Sequence, residues 1–367
     1  MVTNTEIKTP IKKLKKIVQV VPRLPPYPDG VGDYSLRLAG KLRDEHIIST
    51  HFFVFQQGIT IEPLINGFST IVLPAHSPET FLSLLPDDIE GIILHYSNYP
   101  YLKGKFDAPF WLVKALQLSM KQRELKLVVM FHELPMLKWK RINLLNPIQS
   151  LVSRRLAKIA STFLTDSARF QAILSKCLKQ PVTCIPDFST IGEPKTVPPL
   201  AERNRRMIIF GTSARRRLYE NSLKELLECC KLLEIEEIYD IGKFLDLKTK
   251  YAFGKVHLLE MGFQPAEVVS QLMLTSLAGC LDYSLEPGDL GKSSVFAAFC
   301  AHGLVPLCTQ YNPSEADGIE VKKNYLVLDD YLKQLNLEEL QTVSDNAHQW
   351  YQSHNLTENA KVFASHL

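Results

Sequence analysis

Short aliphatic and β-branched runs recur along this chain, with room for one amphipathic helix between each pair. In the first half they are KIVQVV (16–21), THFFVF (50–55), STIVL (69–73), GIILHY (91–96), KLVVMF (126–131) and STFLT (161–165). The intervening helical patterns include 33–45, 109–123 and 146–160. Near-continuous apolar strands separated by helices predict parallel strands covered on both faces, hence a doubly wound α/β domain. The composition then shifts at 186–206, a stretch with four prolines and no periodicity, which reads as a linker. The alternation restarts with strands at 206–211, 235–242, 277–284 and 304–308 and helices at 219–234 and 265–276. At 367 residues the chain exceeds what one core usually holds. The expected organisation is a first domain at 1–188, a linker at 189–206, a second domain at 207–340 and a helical tail at 341–367 that can cross back onto the first. Two such sheets place a ligand site in the cleft between them, at the carboxyl ends of the strands.

A net charge of +3 gives no reason to expect a nucleic-acid partner. The basic runs at 12–16, 138–141, 153–158, 203–206 and 214–217 read mostly as solvated faces and loops. The stretch KWKRINLLNPIQSLVSRRLAK (138–158) also has the mixture of an interfacial helix, so peripheral contact with an anionic membrane is an open expectation. Seven cysteines without C-x-x-C spacing fit buried thiols in a reducing compartment. The basic N-terminus is followed only by IVQVV before Pro22, shorter than a signal-peptide core, and no run is long enough to span a membrane. A cytoplasmic protein is expected, with contact at the inner membrane face left open.

Candidate chemistry follows the strands. Gly30 and Gly32 bracket a turn after the first strand, with Asp33 expected as the cap of the next helix. A turn that merely needs positive φ explains the same residues. His132 ends the strand 126–131 and faces the expected cleft, with Glu133 beside it to orient it or to contact an acceptor. His95 ends another strand, where adjacent aromatic residues favour packing. In EPGDLGKSSVFAAFCAHGLVP (286–306), Gly291-Lys292-Ser293 has the ending of a nucleotide-triphosphate loop, but Glu286 stands where the first glycine belongs. That excludes the ATPase reading.

The segments PPYPDGVGDYSLRLAGKL, 94–116, 128–161, 163–174, 186–194 and 236–242 resemble retaining glycosyltransferases of the glycogen-synthase-like (glycosyltransferase family 4-like) superfamily, in a bacterial branch. The resemblance implies the GT-B fold, two Rossmann-like domains facing each other across a cleft. It implies transfer of a sugar from a nucleoside-diphosphate donor to an acceptor hydroxyl, with retention. No D-x-D cluster is evident, so transfer without a metal or other cofactor is expected, the nucleotide sugar being a co-substrate. His132 and Glu133 become the catalytic candidates. Gly30, Gly32, Arg215, Arg216, Arg217, Glu286, Asp289, Gly291, Lys292, Ser293 and Ser294 become the donor-binding candidates, with Arg side chains and a helix N-terminus meeting the diphosphate. The chain departs from the family's two glutamates eight residues apart. Alignment on Gly303 puts Ala298 at the second position and Asp289 or Leu290 near the first, with Glu286 the alternative for a longer loop. The acceptor is a saccharide, a lipid-linked group or a small molecule. The alternatives are a non-catalytic GT-B protein that binds nucleotide sugar and a GT-B-type epimerase.

Overall fold

The structure, a computed structural model, describes residues 14–27, 29–56, 58–97, 101, 109–133, 136–139, 142–145 and 147–367. The backbone alone is described at 136–139, 142–145, 147–149 and 213. The chain divides into two compact units, Met1–Thr162 with Ala360–Leu367, and Phe163–Asn359.

The first unit contains β1 (Lys15–Val21), α1 (Gly30–His46), β2 (Ile48–Val54), β3 (Leu64–Ile65), β4 (Phe68–Val72), α2 (Pro78–Leu84), β5 (Gly91–Tyr96), α3 (Phe110–Gln122) and β6 (Lys126–Phe131). Its strands lie in the order β6-β5-β1-β2-β4-β3, parallel throughout except where β3 meets β4. Every residue of β5, and β1 from Ile17 onward, is buried, as strands covered on both faces require. An antiparallel pair, β7 (Met136–Trp139) with β8 (Ile142–Leu145), leads into α4 (Pro147–Leu156). The cap of α1 is Asp29, not Asp33. Asp29 is extended, and its Oδ1 accepts from Gly32 N–H at 3.0 Å. The helix therefore starts at Gly30, and the two glycines lie in its first turn instead of bracketing a separate one.

The second unit begins within β9 (Thr162–Thr165) and continues through α5 (Ala168–Leu178) and β10 (Thr183–Cys184), which pairs with β9. Then come β11 (Asn204–Phe210), α6 (Arg216–Leu232), β12 (Glu237–Ile241), α7 (Leu247–Lys250), β13 (His257–Gly262) and α8 (Ala266–Leu274). They are followed by β14 (Ser276–Leu281), α9 (Ser294–Ala301), β15 (Val305–Cys308), β16 (Leu326–Val327), α10 (Leu337–Gln352) and α11 (Leu356–His366). Six parallel strands run in the order β13-β12-β11-β14-β15-β16. The end of α11 belongs to the first unit, where Phe363 stacks on His95 and His366 Nδ1 lies 3.2 Å from Thr162 Oγ1.

The run at 203–206 is not a solvated loop. Arg203 is buried and donates to the carbonyls of Pro198, Ser276 and His302, fastening 197–206 to the second sheet. All seven cysteines lie in the second unit, five of them buried. Burial pushes the thiols of those five up, to about 12 for Cys230, which keeps them protonated and inert.

Arg215 likewise serves the fold instead of a phosphate. Its Nε lies 3.0 Å from both carboxylate oxygens of Asp240, and Nη2 reaches Oδ1 at 2.6 Å. Nη1 bonds the carbonyls of Gly211 and Thr212, and Nη2 also bonds that of Lys243. Tyr219 donates to the other Asp240 oxygen at 2.7 Å. All five N–H donors of the guanidinium are thereby committed. Because the pair is buried, Arg215→Ala should cost about 3–5 kcal/mol by leaving Asp240 uncompensated; denaturant unfolding measures it, and a loss below about 1 kcal/mol would contradict this reading.

At the start of α5, Asp317 Oδ1 accepts from Ala168 N–H at 2.6 Å. Burial, opposed by that bond and reinforced by Asp289 and Asp166, raises its carboxyl to about 6. A carboxyl raised in the folded state favours the protonated native form, so its contribution is present at low pH and fades as pH climbs through about 6. Asp317→Asn keeps the acceptor oxygen and removes the titration. Its unfolding free energy should fall less steeply from pH 4 to 6 than the parent's, by on the order of 1–2 kcal/mol; identical slopes would remove Asp317 as the source.

Candidate active site

In a doubly wound sheet the loops on either side of the strand where winding reverses must part, and the crevice they leave is where ligands bind. The first sheet reverses between β1 and β5, the second between β11 and β14. Every candidate residue lies at or near one of these carboxyl edges.

In the first unit, Gly32 admits no side chain. A Cβ there would sit 2.4 Å from the Arg23 carbonyl oxygen, whereas one at Gly30 would meet nothing within 4 Å. Close approach of α1 to the loop after β1 thus accounts for one glycine of the pair. Burial raises the Asp29 carboxyl, and the Gly32 and Val31 amides pull it back. At the end of β6, His132 is buried, its N–H bonded to the Tyr96 carbonyl at 3.0 Å. Its Nε2 lies 3.0 Å from His95 Nδ1, and Tyr34 stands edge-on to both rings. His95 is more than a packing residue, because its Nε2 also meets Gln19 Oε1 at 2.8 Å. Glu133 accepts from Ser97 Oγ at 2.8 Å, which ties the end of β6 to the end of β5.

In the second unit, the two expected segments meet. Gly211 follows β11 with φ 132°, and a Cβ on it would lie 3.4 Å from Val295 in the first turn of α9. Gly242, at φ 140° after β12, passes so close that a Cβ would fall 2.2 Å from Gly211 O. Arg217 Nε lies 3.4 Å from Asp282 Oδ2, just beyond β14, while Arg216 is exposed. With Arg215 engaged in the fold, Arg216 and Arg217 are the members of the cluster left for an anion.

The loop 282–293 organises itself around its charges. Lys292 Nζ pairs with Glu286 Oε2 at 2.9 Å and stands 4.8 Å from the centre of the Phe170 ring. Asp289 is wholly buried, receiving Arg169 Nε at 2.8 Å, Arg169 Nη2, and Ser167 Oγ at 2.9 Å. Of the two acids left open by the sequence, Asp289 anchors the loop and Glu286 stands at its more open side. Gly291 fits because a Cβ would lie 3.2 Å from Asp317 and 3.4 Å from the Asp166 carbonyl. Ser293 is the cap of α9, its Oγ accepting from Phe296 N–H at 3.2 Å, and Ser294 opens the helix. That arrangement satisfies one orphan amide of the helix N-terminus and leaves a positive dipole end beside Lys292.

Sequence reasoning missed Gln19, Arg169, Asp240 and Asp282. Gln19 had a usable signal, a polar residue within an apolar run, and Asp240 a weaker one, an acid flanked by Tyr239 and Ile241; such a residue must find a partner when buried. Arg169 and Asp282 had none, since short-range sequence does not say which acid a distant arginine will meet. The segment 138–158, read as interfacial, lies partly outside the described residues.

No protein-family model and no curated protein matches the chain. Solved structures do. Anabaena Alr3699/HepE, in complex with UDP and glucose, is 13% identical with a TM-score of 0.61, over 96% of this chain and 98% of that one. The pneumococcal O-GlcNAc transferase GtfA, with UDP and GlcNAc, is 11% identical with a TM-score of 0.63, over 96% and 98%. The lipopolysaccharide outer core galactosyltransferase WaaB is 13% identical with a TM-score of 0.58, over 96% and 98%. The chain therefore has the fold of the GT-B glycosyltransferases, two parallel Rossmann-like sheets.

Proposed function

We propose that this chain is a glycosyltransferase that moves a hexosyl group from a nucleoside-diphosphate sugar to an acceptor hydroxyl, with retention and without a metal. The carrying observation is the reversal-point loop of the second unit, where Gly291, Lys292 and Ser293 lead into α9 directly beside Gly211. A diphosphate there would meet a helix N-terminus, Lys292, Arg217 and Arg216. These are charges placed where negative charge develops on the leaving nucleotide, and preorganised charge of this kind lowers the barrier most. The Glu286–Lys292 pair is then a resting arrangement, in which a carboxylate holds the ammonium until a phosphate oxygen replaces it. HepE and GtfA were solved with UDP, which favours uridine diphosphate as the donor's leaving group. His132 is the polar group offered to the sugar, and Glu133 its neighbour on the acceptor side. Retention and metal independence follow from the sequence resemblance and from this supply of cations.

Among the described residues no helix is long and apolar enough to cross a membrane. Peripheral contact with anionic lipid is proposed at α4, where Leu151, Arg154, Arg155 and Lys158 are exposed beside Lys114 of α3. Sedimentation with vesicles should show more binding when anionic lipid is included; equal binding would retire that contact.

The assignment of the site is tested by two substitutions read against one nucleotide-sugar donor. Lys292→Ala should raise the donor Kd about tenfold or more, as loss of a charge-assisted hydrogen bond does. His132→Ala should lower kcat about 100-fold with donor affinity retained. Parent-like binding and turnover in both variants would dismiss it.

A further inference from the structure

A hydrogen-bonded chain inside the first unit has a direction, and that direction bears on His132. Gln19 lies midway along β1, fully buried among Ile17, Val18, Val20 and Val21. Its Nε2 donates to Thr50 Oγ1 on β2 at 3.2 Å, which leaves Oε1 toward His95 Nε2 at 2.8 Å. A carbonyl oxygen only accepts, so His95 Nε2 carries a hydrogen. His95 is itself fully buried, and burial lowers its pKa well below the ordinary value, so the ring is neutral and Nδ1 bears a lone pair. That lone pair faces His132 Nε2 at 3.0 Å. His132 Nε2 must therefore donate.

We propose that Gln19 and His95 are positioning residues for His132, fixing a proton on its Nε2 so that the ring gains and loses its other proton at Nδ1 alone. The surroundings hold both rings in register. They lie nearly parallel, 18° apart with centres 5.3 Å from each other, and Tyr34 packs edge-on against both at 5.8 and 5.0 Å. Tyr101 hydroxyl donates to the His95 carbonyl at 2.6 Å, and Phe363 covers its ring. The polarity matters for chemistry. With the amide of Gln19 reversed, His95 would carry its hydrogen on Nδ1, and a cationic His132 would then set two N–H groups head to head at 3.0 Å. With the observed polarity His132 takes up a proton with no rearrangement behind it. Its tautomer is set by Gln19, two hydrogen bonds away through His95, as ligand histidines are set by their outer hydrogen bonds. The inference rests on His132 acting in transfer as proposed above.

Histidine ring nitrogen shifts in the full-length, 15N-labelled chain read the tautomers without any substrate. Both His95 and neutral His132 should show a protonated Nε2 and a bare Nδ1. Gln19→Met removes the acceptor at similar volume, so His132 should then mix tautomers. Its kcat should fall about 10–100-fold, with donor Kd and KM little changed. Gln19→Glu still accepts from His95 Nε2 and should restore both the tautomer and most of kcat. A neutral His132 protonated on Nδ1 in the parent overturns the proposal, even if sugar is transferred. So does a Gln19→Met protein with a parent-like spectrum and kcat. Should the parent transfer no sugar, the functional reading fails, whereas an Nε2-protonated His132 still supports the assigned polarity.

Discussion

Parallel strands all deliver their chain to one edge of the sheet, and a sheet that winds first one way and then the other must open a gap there. Both sheets of this protein do so, beside β1 in one and beside β11 in the other. The constraint is geometric and precedes any particular side chain. It explains why residues far apart in sequence, such as Asp29 and His132, or Gly211 and Lys292, lie at the same edge. It also explains why Gly32 and Gly242, each too close to a neighbouring carbonyl oxygen to carry a side chain, lie at those loops. Backbone must come close to backbone where loops leave neighbouring strands together.

Charge in the second unit is divided between two tasks. Arg215 pairs with Asp240 beneath the surface, and Arg169, itself partly exposed, pairs with the wholly buried Asp289; both pairs fix the loops they belong to. Buried charges of this kind need full sets of partners, and both acids have them. Lys292 with Glu286 is different, since the carboxylate is a third exposed, at 35%, and the ammonium ends a helix-leading loop. The two pairs with buried acids thus brace the loops around the more open Lys292–Glu286 pair.

Much of this architecture was legible in the residues. KIVQVV, GIILHY and KLVVMF became β1, β5 and β6 almost to the residue, because strands buried on both faces leave an unbroken apolar run. The restart of alternation after the prolines located β11 and the second sheet. Other elements escaped notice for a physical reason. The strand β13, HLLEMG, lies on the sheet edge with His257 exposed and Glu260 half-buried, so its pattern is too mixed to stand out. The two-residue strands β3, β10 and β16 are set by neighbours and not by their own sequence. At the site, Lys292 was singled out by its Gly-Lys-Ser ending and His132 by an imidazole at a strand end, whereas three adjacent arginines looked alike. Only packing distinguishes Arg215, turned inward against Asp240, from Arg216 in solvent. Asp289 and Glu286 were equally inseparable until Arg169 claimed the first.

The placement of sulfur has a practical corollary. Every cysteine falls between positions 177 and 308, inside one of the two units, and the other contains none. Alkylating reagents thus see this molecule asymmetrically. Cys177, half-covered, would react early, Cys184 more slowly because burial pushes its thiol up to about 12, and the five interior thiols only when their sheet breathes. The slow phase of such labelling is a clock for the unit that carries the sulfur.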